Sequence, residues 1–238
     1  MTRGTARIAV VGNSHIAALK DAWVEMAPAH PALDITFFGA PQVEMGKMTL
    51  DHNLRLAIPP KRLDAETKDL LTRINGRCAL SLARFDIVLR AGVTSPWFQF
   101  PQVIAARDVD GLRETGARER LSRAAFDAVL AALAETSRPA KNWRKWTGPA
   151  LYFMPLPATS ESCRGSERKL YRPHAALAER SDGACQIHDL LFDAVERVLD
   201  EENITLLRQP ADTLTEAALT QARFKTGARR LRDGTPQL

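Results

Sequence analysis

The run Arg7-Ile8-Ala9-Val10-Val11-Gly12-Asn13-Ser14-His15 limits this chain more than any other segment. Four apolar residues, three of them β-branched, read as a short buried strand. Gly12 and Asn13 both tolerate the backbone angles of a tight turn. Beyond them Leu19, Ala22, Trp23 and Met26 recur at helical spacing. Ser14 is thereby expected where a strand becomes a helix, at the carboxyl edge of a sheet, which is where open α/β sheets bind ligands. The amino terminus of a helix offers free N–H groups and a positive dipole end, which suit a developing anion. From residue type alone, a serine at such a corner is either a nucleophile or an N-cap.

The remaining chain alternates strand and helix signals. Strands are expected at Ile8–Val11, Asp34–Phe38, Phe85–Leu89, Ala150–Met154 and Ile204–Leu207. Helices are expected at Ile16–Ala27, closed by Pro28 and Pro31, at Asp64–Ala83 with Gly76 as a break, and at Arg118–Ser137 and Gln186–Asp200. Val43–Pro60 reads as a long loop, Arg90–Pro96 as the loop beyond the third strand, and Trp97–Val109 as a loop with a short helix. Strands separated by helices pair in parallel through right-handed crossovers. The expected fold class is α/β: a doubly wound, mainly parallel five-stranded sheet with helices on both faces, a flavodoxin-like three-layer sandwich. At 238 residues the chain fits a single domain over 1–238.

Composition excludes some classes. No apolar run approaches the roughly 18 residues of a membrane span, and the first residues carry no apolar leader. The cysteines Cys78, Cys163 and Cys185 are an odd count with no Cys-x-x-Cys pair, so free thiols and a cytoplasmic location are expected. A net charge of +5 favours anionic ligands slightly without marking a nucleic-acid binder. There is no dinucleotide fingerprint, no His-Glu-x-x-His and no His/Cys cluster at metal-ligand spacing.

Val11-Gly12-Asn13-Ser14-His15 after an N-terminal strand resembles the first block of the SGNH/GDSL hydrolases, with Asn13 in place of their usual Asp. The resemblance implies a serine that attacks an acyl carbonyl. It also implies a histidine that takes the serine proton and an aspartate three residues earlier that orients the histidine. The oxyanion is then held by the serine N–H, a glycine after the second strand and an asparagine after the third. Carried onto this chain, Ser14 is the nucleophile and first oxyanion donor. Gly39 is the glycine, with Gly46 as second choice. Gly92-Val93-Thr94 stands where the family has Gly-x-Asn, so the asparagine is replaced by Thr94, or by the hydroxyl of Ser95. Asn13, His15, Gly92 and His174 are expected to contact ligand.

The last family block, Asp-x-x-His, is not found in this chain. Either the segment is shortened relative to its relatives or the base has been lost. His174, His52 and His15 are the substitutes on offer, each more often a structural or surface histidine. The resemblance implies no metal and no organic cofactor. It implies a small-molecule or carbohydrate ester as substrate. The rival reading is a non-catalytic module on the same scaffold, holding an anionic group or a glycan.

Two basic segments stand apart. Arg138–Trp146 interleaves cations with Trp143 and Trp146, a composition that can stack single-stranded nucleic acid, but its shortness favours a connector anchored by its indoles. Arg164, Arg168, Lys169 and Arg172 follow the fourth strand and become relevant if they border the Ser14 cleft. The tail cations Arg223, Lys225, Arg229, Arg230 and Arg232 read as a solvated face.

Overall fold

A computed structural model describes residues 5–144 and 146–224. The centre is a five-stranded sheet of β1 (Ala6–Gly12), β2 (Leu33–Gly39), β3 (Ile87–Val93), β4 (Ala150–Pro155) and β5 (Ile204–Leu206), in the order β5-β4-β3-β1-β2. Every pairing in it is parallel. The expected α/β sandwich is therefore the observed one. The strand order reverses between β1 and β3, so the carboxyl ends of those two strands form the crevice that such sheets use for ligands.

Alternation along β1 explains the layering, because successive side chains leave opposite faces of a strand. Ala9 and Val11 join Val88, Leu151 and Phe153 in the main core. Val10 faces the other way and packs with Ile16 of α1 (Ile16–Met26) and with Ala91. Phe126, Leu130 and Ala134 of α4 (Arg123–Glu135) cover the main-core face. So do Ile187, Leu191, Val195 and Val198 of α6 (Ala184–Asp200). These are helical i, i+3/i+4 positions, so each helix buries one stripe. The α1 face is covered less completely: Ile35, Phe37, Leu89 and Met154 are only partly buried.

Several boundaries differ from the sequence reading. Val43–Pro60 is not an irregular loop. It holds α2 (Gln42–Lys47) and a small antiparallel sheet in which Thr49–Leu50 pairs with Arg55–Ala57, and that strand with Ala79–Ser81. The helix expected from Asp64 stops at Asn75 as α3 (Ala65–Asn75), with Asp64 Oδ1 capping Thr67 N–H at 2.7 Å. The helix expected from Arg118 starts at Arg123, because Ser122 caps it and Glu119–Leu121 instead pairs with Arg107–Val109.

The third strand is shifted along the chain. Phe85 ends a short 3₁₀ turn, and Asp86 accepts a hydrogen bond from the Arg7 N–H at 2.8 Å. Pairing begins at Ile87 and continues through Val93, so Arg90 belongs to the sheet and not to a loop. His174 sits in α5 (Arg172–Glu179). Among the described residues no helix is long and apolar enough to cross a membrane. Lys145 and the tail cations Lys225, Arg229, Arg230 and Arg232 lie outside the described residues.

Candidate functional site

The corner between β1 and α1 is built by close approach. A Cβ at Gly12 would overlap the Ala91 carbonyl, so only glycine lets β1 end against β3. Asn13 is 5% exposed. Its Nδ2 donates to the Gly92 carbonyl at 2.9 Å and to Gln42 Oε1 at 2.7 Å, and its Oδ1 accepts the His15 N–H at 3.1 Å. One side chain thus ties β1, α2, β3 and the first turn of α1 together. It is a structural amide and has little capacity left for a ligand.

Ser14 follows in a turn, partly buried. Its carbonyl accepts the Ala17 N–H at 3.2 Å. Neither its N–H nor its Oγ has a hydrogen-bond partner among the described residues. The N-cap position of α1 belongs to His15 and has no side-chain cap bond, so Ser14 is not spent as a cap. His15 itself is exposed.

The expected oxyanion residues divide. Gly39 donates its N–H to Asn75 Oδ1 at 2.8 Å and accepts from Asn75 Nδ2 at 2.9 Å, which pins β2 to α3. That N–H is engaged and does not face a substrate. Thr94 is exposed at the end of β3, with no hydrogen bond to its hydroxyl among the described residues. Ser95 is 3% exposed and caps the Trp97 N–H at 3.3 Å, a structural role. Gly92 lies at φ +73°, against Asn13.

All five histidines of the sequence are among the described residues, and none is hydrogen-bonded to Ser14. His174 is 1% exposed, with its ring 5.3 Å from that of Phe98 and Nε2 at 3.5 Å from Thr159 Oγ1. Burial pushes this imidazole below its ordinary pKa. His188 is buried between Trp97 and Phe192. His52 is exposed, and His30 stacks on Trp23.

Beside the corner lies a cavity of about 220 Å³. It runs from Asn13, Gly92 and Thr94 along the main-core face to Ser137 and Arg138 in the connector after α4. Gly46, the second-choice glycine, lines it, whereas Ser14 and Gly39 do not. Arg90 also lines it, and sequence reasoning missed this residue by ending the third strand too early. The one available signal was a charge inside an otherwise apolar run, Ile87-Val88-Leu89-Arg90-Ala91.

The basic segments are placed elsewhere or engaged. Trp143 and Trp146 are 5% and 7% exposed and stack on each other at 5.5 Å, so they anchor the connector and offer no platform to bases. Arg138 is paired with Glu135, Glu201 and Glu202. Arg164 lines a separate cavity with Glu161 and Arg223. Arg168, Lys169 and Arg172 are exposed and line none of the Asn13 cavity. Among the described residues no three His, Cys, Asp or Glu side chains come together as a metal-binding group. No protein-family model, no curated protein and no solved structure matches this chain.

Proposed function

We propose that this chain carries an SGNH-type acyl-ester site, a serine hydrolase or acyltransferase centre with Ser14 as its nucleophile. One observation carries the reading: both the N–H and the Oγ of Ser14 are unengaged, at the head of the eleven-residue helix α1. In the proposed step Ser14 Oγ bonds to the acyl carbon while its proton leaves to solvent. The carbonyl oxygen becomes an oxyanion facing the Ser14 N–H, the Thr94 hydroxyl and the positive end of α1. Collapse expels the alcohol, and water or a second alcohol takes the acyl group from Ser14. Gly39 has no part in this, because its N–H is bound to Asn75.

The substrate is proposed as a small-molecule or carbohydrate ester. Cys78, Cys163 and Cys185 are free thiols, which supports a cytoplasmic setting. The test is p-nitrophenyl acetate turnover by the wild type and by Ser14→Ala. The expected outcome is loss of the enzyme-dependent rate in the variant, and equal rates overturn the proposal. A second reading then takes over, a binding module for an anionic group or glycan on the same scaffold. It is favoured by the lack of a histidine partner for Ser14 among the described residues.

A further inference from the structure

Arg90 is a half-buried cation with no anionic partner among the described residues. It pairs across the sheet with Val11 on β1 and Phe153 on β4, so its side chain leaves the sheet on the main-core face. Its guanidinium carbon lies 5.1 Å from the ring centroids of both Trp143 and Phe153. Rings attract the cation through their quadrupoles but take none of its N–H donors. Among the described residues Arg90 makes no ion pair and no side-chain hydrogen bond. Desolvation pushes its pKa down, the mark of a charge removed from water with nothing opposite it.

The surroundings ask for the same complement. None of the residues lining the cavity is Asp or Glu. Arg138, the other arginine there, is taken up in ion pairs with Glu135, Glu201 and Glu202, so Arg90 is the cavity arginine without a carboxylate partner among the described residues. Ser137 lines the cavity too, is 8% exposed, and has a buried Oγ with no hydrogen-bond partner. A buried hydroxyl without a partner and a half-buried guanidinium that faces only rings leave hydrogen-bonding capacity in one cavity for a ligand to complete.

We propose that the Arg90 cavity is a binding site for a short-chain monocarboxylate, held by the Arg90 guanidinium with the Ser137 hydroxyl beside it. A single uncompensated cation matches a monoanion, and the planar guanidinium edge matches a carboxylate in a bidentate pair. At about 220 Å³ the cavity falls below the volumes of drug-sized ligand pockets. It holds on the order of seven waters at ~30 Å³ each, room for acetate to butyrate. The site does not depend on chemistry at Ser14.

The test is titration with sodium acetate, sodium butyrate and inorganic phosphate at constant ionic strength, read by tryptophan fluorescence, since Trp143 flanks Arg90. The wild type is expected to show a saturable change with the carboxylates in the millimolar range. Arg90→Met is expected to lose about tenfold or more in affinity, and Arg90→Lys, which keeps the charge but not the fork, about fivefold. Ser14→Ala binds as the wild type does, so failure at Ser14 and failure here are separable. No saturable change in the wild type, or unchanged affinity in a folded Arg90→Lys, overturns the proposal. So does phosphate binding as tightly as the carboxylates.

Discussion

Gly92 is held at φ +73° directly against the amide of Asn13, whose Nδ2 donates to the Gly92 carbonyl at 2.9 Å. The two residues lie at the ends of neighbouring strands, so this contact sets how closely β1 and β3 approach at the ligand edge. A Cβ at Gly92 would overlap Asn13 Oδ1. Gly92→Ala therefore combines a left-handed backbone penalty of ~1–2 kcal/mol with an overpacking cost of ~1–3 kcal/mol. The expected loss is about 2–5 kcal/mol in urea unfolding, with Gly46→Ala as a control, since a Cβ there meets nothing within 4 Å. Equal midpoints for the two variants would dismiss the Asn13–Gly92 contact as a constraint.

Asn13→Asp is expected to destabilise this protein. A carboxylate still accepts the His15 N–H, but it has no N–H for the Gly92 carbonyl or for Gln42 Oε1. Gln42 is exposed and can turn its amide, whereas the buried Gly92 carbonyl cannot move. Leaving that acceptor facing a carboxylate costs about 1–3 kcal/mol. Chemical denaturation of the variant above pH 6, where the new carboxylate is ionised, checks it. Unchanged stability there would remove Asn13 as a required donor.

Much of the architecture could be read from the residues, and the reason is local. Ile8–Val11, Asp34–Phe38 and Ala150–Met154 are apolar runs bounded by turn residues, and their burial follows from strand alternation alone. The third strand was misplaced because Phe85-Asp86 continues an apolar pattern, although Asp86 is tied to Arg7 and pairing starts one residue later. The position of Ser14 at the β1–α1 corner was legible because strand, turn and helix are contiguous. Arg90 was not, since what defines it is Trp143 and Phe153, more than fifty residues downstream and brought near only by the sheet. Gly39 could not be judged either, because its N–H is claimed by Asn75 on a helix the sequence extended past its true end.

Stability is expected to fall between neutral and mildly acidic pH. Burial pushes His174 and His188 below the ordinary imidazole value, and for His188 it outweighs the opposing pull of Asp189, 3.3 Å from Nδ1. With the unfolded value near ~6.5, the unfolded chain binds more protons than the folded one between that pH and the lowered folded values. Their contribution is full above about pH 6.5 and drains away as pH falls through that window, at most ~1.4 kcal/mol per pH unit for each histidine. The carboxylates Asp51, Asp64 and Asp86, lowered chiefly by backbone N–H donors, lose their contribution only as pH falls below about 4. Urea midpoints at about pH 7.5 and pH 5.5 should differ in the wild type. The difference should shrink in the His174→Gln, His188→Gln double variant, and an equal drop in both proteins would assign the acid loss to other groups.

If Ser14 is the nucleophile proposed above, the pH profile of its ester turnover follows from the same histidine geometry. None of the five imidazoles is hydrogen-bonded to Ser14, so in this chain the Ser14 proton has only solvent to accept it. Triad-less serine sites retain about 10³–10⁴ over water from oxyanion stabilisation and binding alone, so slow but measurable turnover is expected. With hydroxide taking the proton, the Ser14-dependent rate should climb about tenfold per pH unit from roughly pH 6 to pH 8, with no plateau. A histidine base would instead bend the profile to a plateau with a midpoint near pH 6–7. The measurement is p-nitrophenyl acetate hydrolysis by the wild type, with the Ser14→Ala rate subtracted at each pH. A plateau in that difference would place an imidazole at Ser14 during catalysis and overturn the arrangement of the corner described above.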